Sequence, residues 1–130
     1  MTAQDQIANA WMVCNMDTGY WNIEGTGIIS DPLQTVSSST GLAAVLLGNK
    51  GGYRVFYRDI GGALRQLRYT QDAQRFSDAG LVNQDSSNSS AIGALLAAPN
   101  SDNMTVIAPK DMDNMEVTRW YGDYTWRASK

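Results

Sequence analysis

Tyr53-Arg-Val-Phe-Tyr-Arg-Asp-Ile-Gly-Gly-Ala-Leu-Arg-Gln-Leu-Arg-Tyr-Thr-Gln-Asp-Ala-Gln-Arg-Phe76 decides how this chain reads. Two strand-like runs flank a glycine turn, the signature of a β-hairpin. One polar strand position, Arg54, carries a charge where a strand face meets its surroundings. The unit returns in degraded form about fifty residues later.

Outward from this hairpin the same texture continues. No segment longer than a turn or two shows the 3.6-residue apolar spacing of an amphipathic helix. Short apolar or alternating runs, separated by Gly, Asn, Asp and Ser clusters, predict strands near 6–14, 20–24, 41–48, 53–59, 63–70, 76–82, 91–98, 103–109, 114–121 and 124–129. Many short strands with regular turn signals indicate an all-β sandwich, barrel or propeller.

The repeat chooses among these. At an offset of 51, residues 38–72 lie over 89–123: Ser38 and Ser39 on Ser89 and Ser90, Ala43 on Ala94, Val55 on Val106, Arg68 on Arg119, Tyr69 on Trp120 and Asp72 on Asp123. Phe56 and Leu64 find apolar counterparts in Ile107 and Met115. A period in this range predicts propeller blades of four antiparallel strands. Asp17 and Trp21 relate to Asp72 and Phe76 at an offset of 55, so the N-terminal part resembles only the outer two strands of a blade. The expected organisation is half a blade over 1–29, a blade over 30–82 and a blade over 83–130. Such a segment cannot close a ring and leaves strand edges and blade faces open. Other copies of the chain, or another chain segment, are expected to complete it. The connection Ser30–Thr40 reads as a linker between blades, with part of it at the rim of an inter-blade pocket as the sharper reading.

Composition excludes several classes of function. Hydrophobic residues make up 43% and charged residues 18%, ordinary for a globular domain of 130 residues. A net charge of −3, a pI near 4.7 and ten scattered Lys and Arg argue against a nucleic-acid partner. No apolar run has the ~20 residues of a membrane helix, and no secretion signal is visible, so the reading is no membrane partner and a location either secreted or cytoplasmic. The sequons at Asn88 and Asn103 permit secretion without requiring it. Cys14 is the single cysteine and reads as a small buried hydrophobe. The absence of histidine removes the Ser-His-Asp and Cys-His constellations and most zinc sites. Asp111, Asp113 and Glu116 lack the calcium-loop pattern and read as a solvated turn. No cofactor or metal is expected. The six methionines fit adaptable core packing or an apolar ligand pocket.

The order Arg54-Val55-Phe56-Tyr57-Arg58-Asp59, Gly62-Ala63-Leu64-Arg65-Gln66, Tyr69 and Phe76 resembles the blade pattern of the fungal fucose-specific lectins, which are six-bladed propellers. In that family an Arg and a Glu of one blade bind sugar hydroxyls, and aromatics of the next blade pack on the sugar's apolar face. The resemblance implies a ligand site built from Arg54, Gln66, Trp120, Tyr124 and Trp126. Gln66 stands where the family has glutamate, which exchanges a two-oxygen acceptor for an amide. In the following blade Thr105 and Val117 stand in place of the Arg and the Glu, so that site is expected to be lost for fucose. The half-blade lends only Trp11, Met16 and Trp21 to a site whose polar half lies outside the chain.

Each of these residues also has a plainer reading. An inward arginine between blades can pair with a carboxylate and hold the blades together, and tryptophans bury large areas wherever they sit. Two functions follow from the resemblance. One is a non-catalytic lectin for fucose or a related sugar. The other is a lectin-type propeller with lost sugar sites, turned to small organic molecules as a natural-product enzyme of the hetero-Diels–Alder type. Such chemistry needs positioning and a few donors rather than a nucleophile.

Overall fold

The computed structural model describes residues 6–29, 36–47, 52–70, 72–84, 91–98, 103–110, 114–120 and 125–128. Among them are ten strands: β1 (Ala8–Cys14), β2 (Trp21–Ile28), β3 (Ala43–Leu47), β4 (Gly52–Arg58), β5 (Leu64–Thr70), β6 (Arg75–Asn83), β7 (Gly93–Leu96), β8 (Met104–Pro109), β9 (Met115–Trp120) and β10 (Trp126–Ala128). The protein is all-β, and among the described residues no helix is long and apolar enough to cross a membrane. Strands β1 and β2 pair alone, while β3-β4-β5-β6 and β7-β8-β9-β10 form two antiparallel four-stranded meanders. These open sheets fit an incomplete propeller. Every expected strand is present, although β2 runs on to Ile28 because Ala8 pairs there.

The repeat seen in the sequence is a repeat of pairing register. Arg54↔Arg68, Val55↔Leu67, Phe56↔Gln66, Tyr57↔Arg65 and Arg58↔Leu64 in one sheet become Thr105↔Arg119, Val106↔Thr118, Ile107↔Val117, Ala108↔Glu116 and Pro109↔Met115 in the next. Outside this central hairpin the offset slips by one residue. Ala43↔Phe56 corresponds to Gly93↔Ile107, so the structural counterpart of Ala94 is Ala44 rather than Ala43. Since side chains alternate faces along a strand, that slip matters: Ala44 and Ala94 share a face and Ala43 does not.

The turns show why these residues end their strands. Asp59 accepts from the N–H groups of Gly61 and Ala63 through Oδ1, each at 3.0 Å, and Gly62 takes a φ of +83°. Its other oxygen accepts from Arg65 Nε at 2.6 Å, and this bond raises the Arg65 pKa. The β1–β2 and β5–β6 turns share one geometry. Gly19 N–H donates to the Asn15 carbonyl at 2.8 Å, and Gln74 N–H donates to the Thr70 carbonyl at 2.9 Å. The residue closing each turn is left-handed, with φ of +71° at Gly19 and +48° at Gln74. Glycine fits that conformation freely and glutamine does not.

The core lies between sheets. Val45, Leu47, Phe56, Leu64 and Val82 of the second sheet pack against Met104, Val106 and Ala108 of the third. A second cluster of Ile7, Val36, Tyr57 and Leu67 joins the first sheet to the second. At one end of the larger interface Arg58 is 3% exposed. It donates from Nη1 to the Gly62 carbonyl and from Nη2 across to the Pro109 carbonyl, both at 2.7 Å. Burial lowers its pKa and the nearby Glu116 opposes that shift. Glu116 in turn accepts from Asn83 Nδ2 at 2.6 Å, a second bond across the sheets. Of the acidic group Asp111, Asp113 and Glu116, only Glu116 falls within the described residues, and its role there is this cross-sheet bond.

Replacing Arg58 by Ala strips two carbonyls of their donors and is expected to cost about 2–4 kcal/mol. Gln74→Gly relieves the left-handed strain and is expected to stabilise by about 0.5–1 kcal/mol. Urea unfolding of the two variants against the parent chain checks both, with shifts of opposite sign.

Candidate ligand cleft between the second and third sheets

Alternation along β4 and β5 puts Arg54, Phe56 and Arg58 on one face with Arg68, Gln66 and Leu64. That face looks toward the third sheet. Its far end carries the Arg58 anchor, its middle the Phe56 contact, and its near end Arg54. There the sheets separate into a cleft of about 400 Å³. Arg54, Gln66, Arg68 and Asp78 line it from the second sheet, and Trp120 and Trp126 line it from the third.

Four of the five residues expected at a ligand site therefore meet in one cleft. Tyr124 lies outside the described residues. Trp120 and Trp126 are register partners on β9 and β10, with ring centroids 5.3 Å apart at 53°. Trp126 also sets its ring at 89° to Phe56, with centroids 5.7 Å apart. The wall is thus partly core, as a plain reading of the tryptophans requires.

Among the described residues, two polar atoms in this cleft lack hydrogen-bond partners although they are shielded from solvent. Gln66, only 4% exposed, spends its amide N–H on the Ala79 carbonyl at 3.1 Å, and its Oε1 accepts nothing. Trp126 Nε1 donates to nothing. A buried acceptor and a buried donor left open in one cleft are costly unless something polar enters. The strand β6 bulge that offers the Ala79 carbonyl to Gln66 also brings Asp78 to the cleft.

Sequence reasoning missed Arg68 and Asp78. Arg68 was legible as the residue matching Arg119, but its placement opposite Arg54 follows only from the hairpin register. Asp78 reaches the cleft through the bulge, which no residue pattern announces. An arginine that links the second and third sheets is found at Arg58, through the Pro109 carbonyl.

A second cleft, of about 550 Å³, separates the first and second sheets. Tyr53, Tyr69, Phe76, Leu42, Ile7 and Asn9 are among the residues lining it. Its aromatic pair Tyr69–Phe76 copies the tryptophan pair, with centroids 5.2 Å apart at 50°. Its polar half differs. In the register of the β1–β2 pair, Trp11 opposes Gly25 as Gln66 opposes Gly80, so the amide has no counterpart on β1.

No family model matches the sequence, and no curated protein matches it. Among solved structures the chain is similar to a fucose lectin from the bacterium Kordia zhangzhouensis, in complex with methyl-fucoside. The likeness has a TM-score of 0.57 at 17% identity and covers 95% of this chain and 90% of that one. It shows the fold: an all-β, lectin-type architecture in a chain of nearly the same length. The sequence resemblance was to fungal lectins, whereas this solved relative in fold is bacterial.

If the Trp126 N–H serves no structural partner, Trp126→Phe is expected to cost less than about 1 kcal/mol, because the ring contacts with Phe56 and Trp120 survive. Trp126→Ala is expected to cost about 3 kcal/mol through lost packing. Unfolding free energies of both variants, measured without ligand, check the distinction.

Proposed function

We propose that this chain is a non-catalytic carbohydrate-binding protein that takes fucose or a related sugar in the Arg54–Gln66–Trp120–Trp126 cleft. One observation carries the reading: an unpartnered buried acceptor, Gln66 Oε1, and an unpartnered donor, Trp126 Nε1, line the same cleft as an arginine and an aromatic wall. A sugar hydroxyl both donates and accepts, and a sugar ring has a C–H face that packs on tryptophan. The Kordia lectin, similar in fold, was solved with methyl-fucoside bound, which supports a sugar as the ligand class. The organisation into a half blade and two blades is part of the same reading.

Copies of the chain complete the ring. The faces that end the segment are apolar and open, while their counterparts inside it are covered. Leu95 and Met115 on the third sheet are 48% and 59% exposed, yet the matching Val45 and Leu64 are 6% and 3% exposed. At the other end Met12, Trp21 and Ile23 are at least half exposed on the two-stranded sheet. A head-to-tail contact between these two ends repeats the contact already present between the second and third sheets, the kind of heterologous interface that closes rings.

Titration of methyl-fucoside by calorimetry is expected to show binding, with Arg54→Ala lowering affinity at least about tenfold through loss of a charge-assisted bond. Absence of binding at millimolar sugar overturns the reading. Native mass spectrometry is expected to find a multiple of 14.2 kDa that Met115→Asp dissociates. A monomer at all concentrations overturns the assembly.

A further inference from the structure

We infer that the free edge of β1 is a docking site for an added β-strand of another polypeptide, one with apolar residues at alternate positions and a hydrogen-bond donor opposite Asn9. This surface is independent of the sugar cleft. The β1–β2 pair reproduces β5–β6: Trp11↔Gly25 and Cys14↔Trp21 match Gln66↔Gly80 and Tyr69↔Phe76, and a bulge follows Trp11 as one follows Gln66. On its other side β5 pairs with β4, as β9 pairs with β8. Among the described residues β1 pairs with β2 alone.

The edge has the form of a pairing surface. The Ile7 carbonyl accepts from the Ile29 N–H at 2.8 Å, so antiparallel alternation turns the main-chain groups of Ala8 and Ala10 away from β2. In the second sheet the matching positions, Ala63 and Arg65, serve β4, and the Ala63 carbonyl accepts from the Asp59 N–H at 3.0 Å. Free edges are ordinarily blunted by lysine or proline, yet Ala8–Cys14 holds no charged residue and no proline. Four consecutive residues, Ile7 to Ala10, line the cleft of about 550 Å³ between the first and second sheets. Successive side chains point to opposite faces, so the strand's edge itself borders that cleft.

The repeat shows what fills such a space. Across the cleft the second sheet is uncovered, with Leu46 54% and Tyr53 44% exposed. On the third sheet Met104, which matches Tyr53, is 2% exposed because Val45, Leu47 and Phe56 of β3 and β4 belong to the cluster that covers it. A hairpin equivalent to β3–β4 beside β1 covers Leu46 and Tyr53 in the same way. Asn9 matches Leu64, which Arg58 opposes, and directly opposed residues share a face. Asn9 lines the cleft, and its Oδ1 is shielded from solvent with no hydrogen-bond partner among the described residues. A donor side chain at the position of Arg58 meets that oxygen. The described strands β3 to β10 are all committed to four-stranded sheets, in this copy and in any second one. The occupant is therefore a different polypeptide, bound by strand addition.

A synthetic peptide with the sequence of Leu42–Asp59, the hairpin that holds the equivalent place in the second sheet, is the probe, titrated into the full chain. Calorimetry is expected to show saturable binding of one peptide per chain, and hydrogen exchange to slow at the Ala8 and Ala10 amides. Ala10→Pro removes one outward N–H, a change that edge strands accept, and is expected to weaken the peptide at least about tenfold with little change in melting temperature. Ala8→Pro repeats the test at the other outward position should Ala10→Pro melt early. A peptide carrying Arg58→Leu is expected to bind at least about tenfold more weakly than the parent peptide. No peptide binding, or binding that folded proline variants or the Arg58→Leu peptide leave unchanged, overturns the inference. A lower native mass for Ala10→Pro also overturns it, because a second copy then already covers the edge. Methyl-fucoside titration reads the other cleft separately, so failure of either reading leaves the other standing.

Discussion

The guanidinium of Arg58 fixes the spacing on which the cleft depends. It is a cation with almost no water around it, and its two terminal nitrogens reach carbonyls on two different sheets. Desolvation of a cation costs several kcal/mol, so it persists only where partners surround it. Here they are the Gly62 carbonyl of its own hairpin, the Pro109 carbonyl across the interface and the field of Glu116. Arg54 lies four residues away on the same strand face, about 13 Å along the strand. The anchor closes one end of the interface, Phe56 packs on Trp126 in the middle, and the opposite end stays open as the cleft.

This geometry explains why two arginines of one strand play different parts. Both sit on the same face, and only their position along β4 separates them. At Arg58 the neighbouring strand ends supply carbonyls, which satisfy a buried cation internally. At Arg54 the opposite sheet presents aromatic rings and the same sheet presents a second arginine. The first environment consumes the charge in holding the sheets together. The second places the side chain in the lining of the cleft.

Much of the fold was legible because a β-hairpin writes its register into alternate residues. The match of 54–68 to 105–119 is the match of five cross-strand pairs to five others, and any slip would have turned apolar faces outward. The flanking strands were less legible. Ala43 on Ala94 is an alignment of identical residues that the pairing places on opposite faces, since one loop holds one residue more. In the cleft, Arg54, Gln66, Trp120 and Trp126 were found from the sequence because their order along the chain matches a known pattern. Arg68 and Asp78 were not, because one depends on what stands across the hairpin and the other on a bulge. A pattern of residues along one strand carries neither kind of information.

The aromatic wall and the polar half of such a cleft are under different physical constraints, and comparison of the two clefts separates them. Tyr69–Phe76 and Trp120–Trp126 hold nearly the same ring geometry, although the polar residues opposite them differ. Rings at these positions close the interface between sheets, so packing keeps them aromatic whether or not a ligand binds. Gln66 is different. Buried and with one oxygen unpartnered, it contributes less to the fold than an apolar side chain of its size could. Val117 occupies the matching position of the third sheet, which shows that the fold accepts an apolar residue there. The amide N–H is explained by the Ala79 carbonyl it binds, so Oε1 is the atom whose presence the packing does not explain.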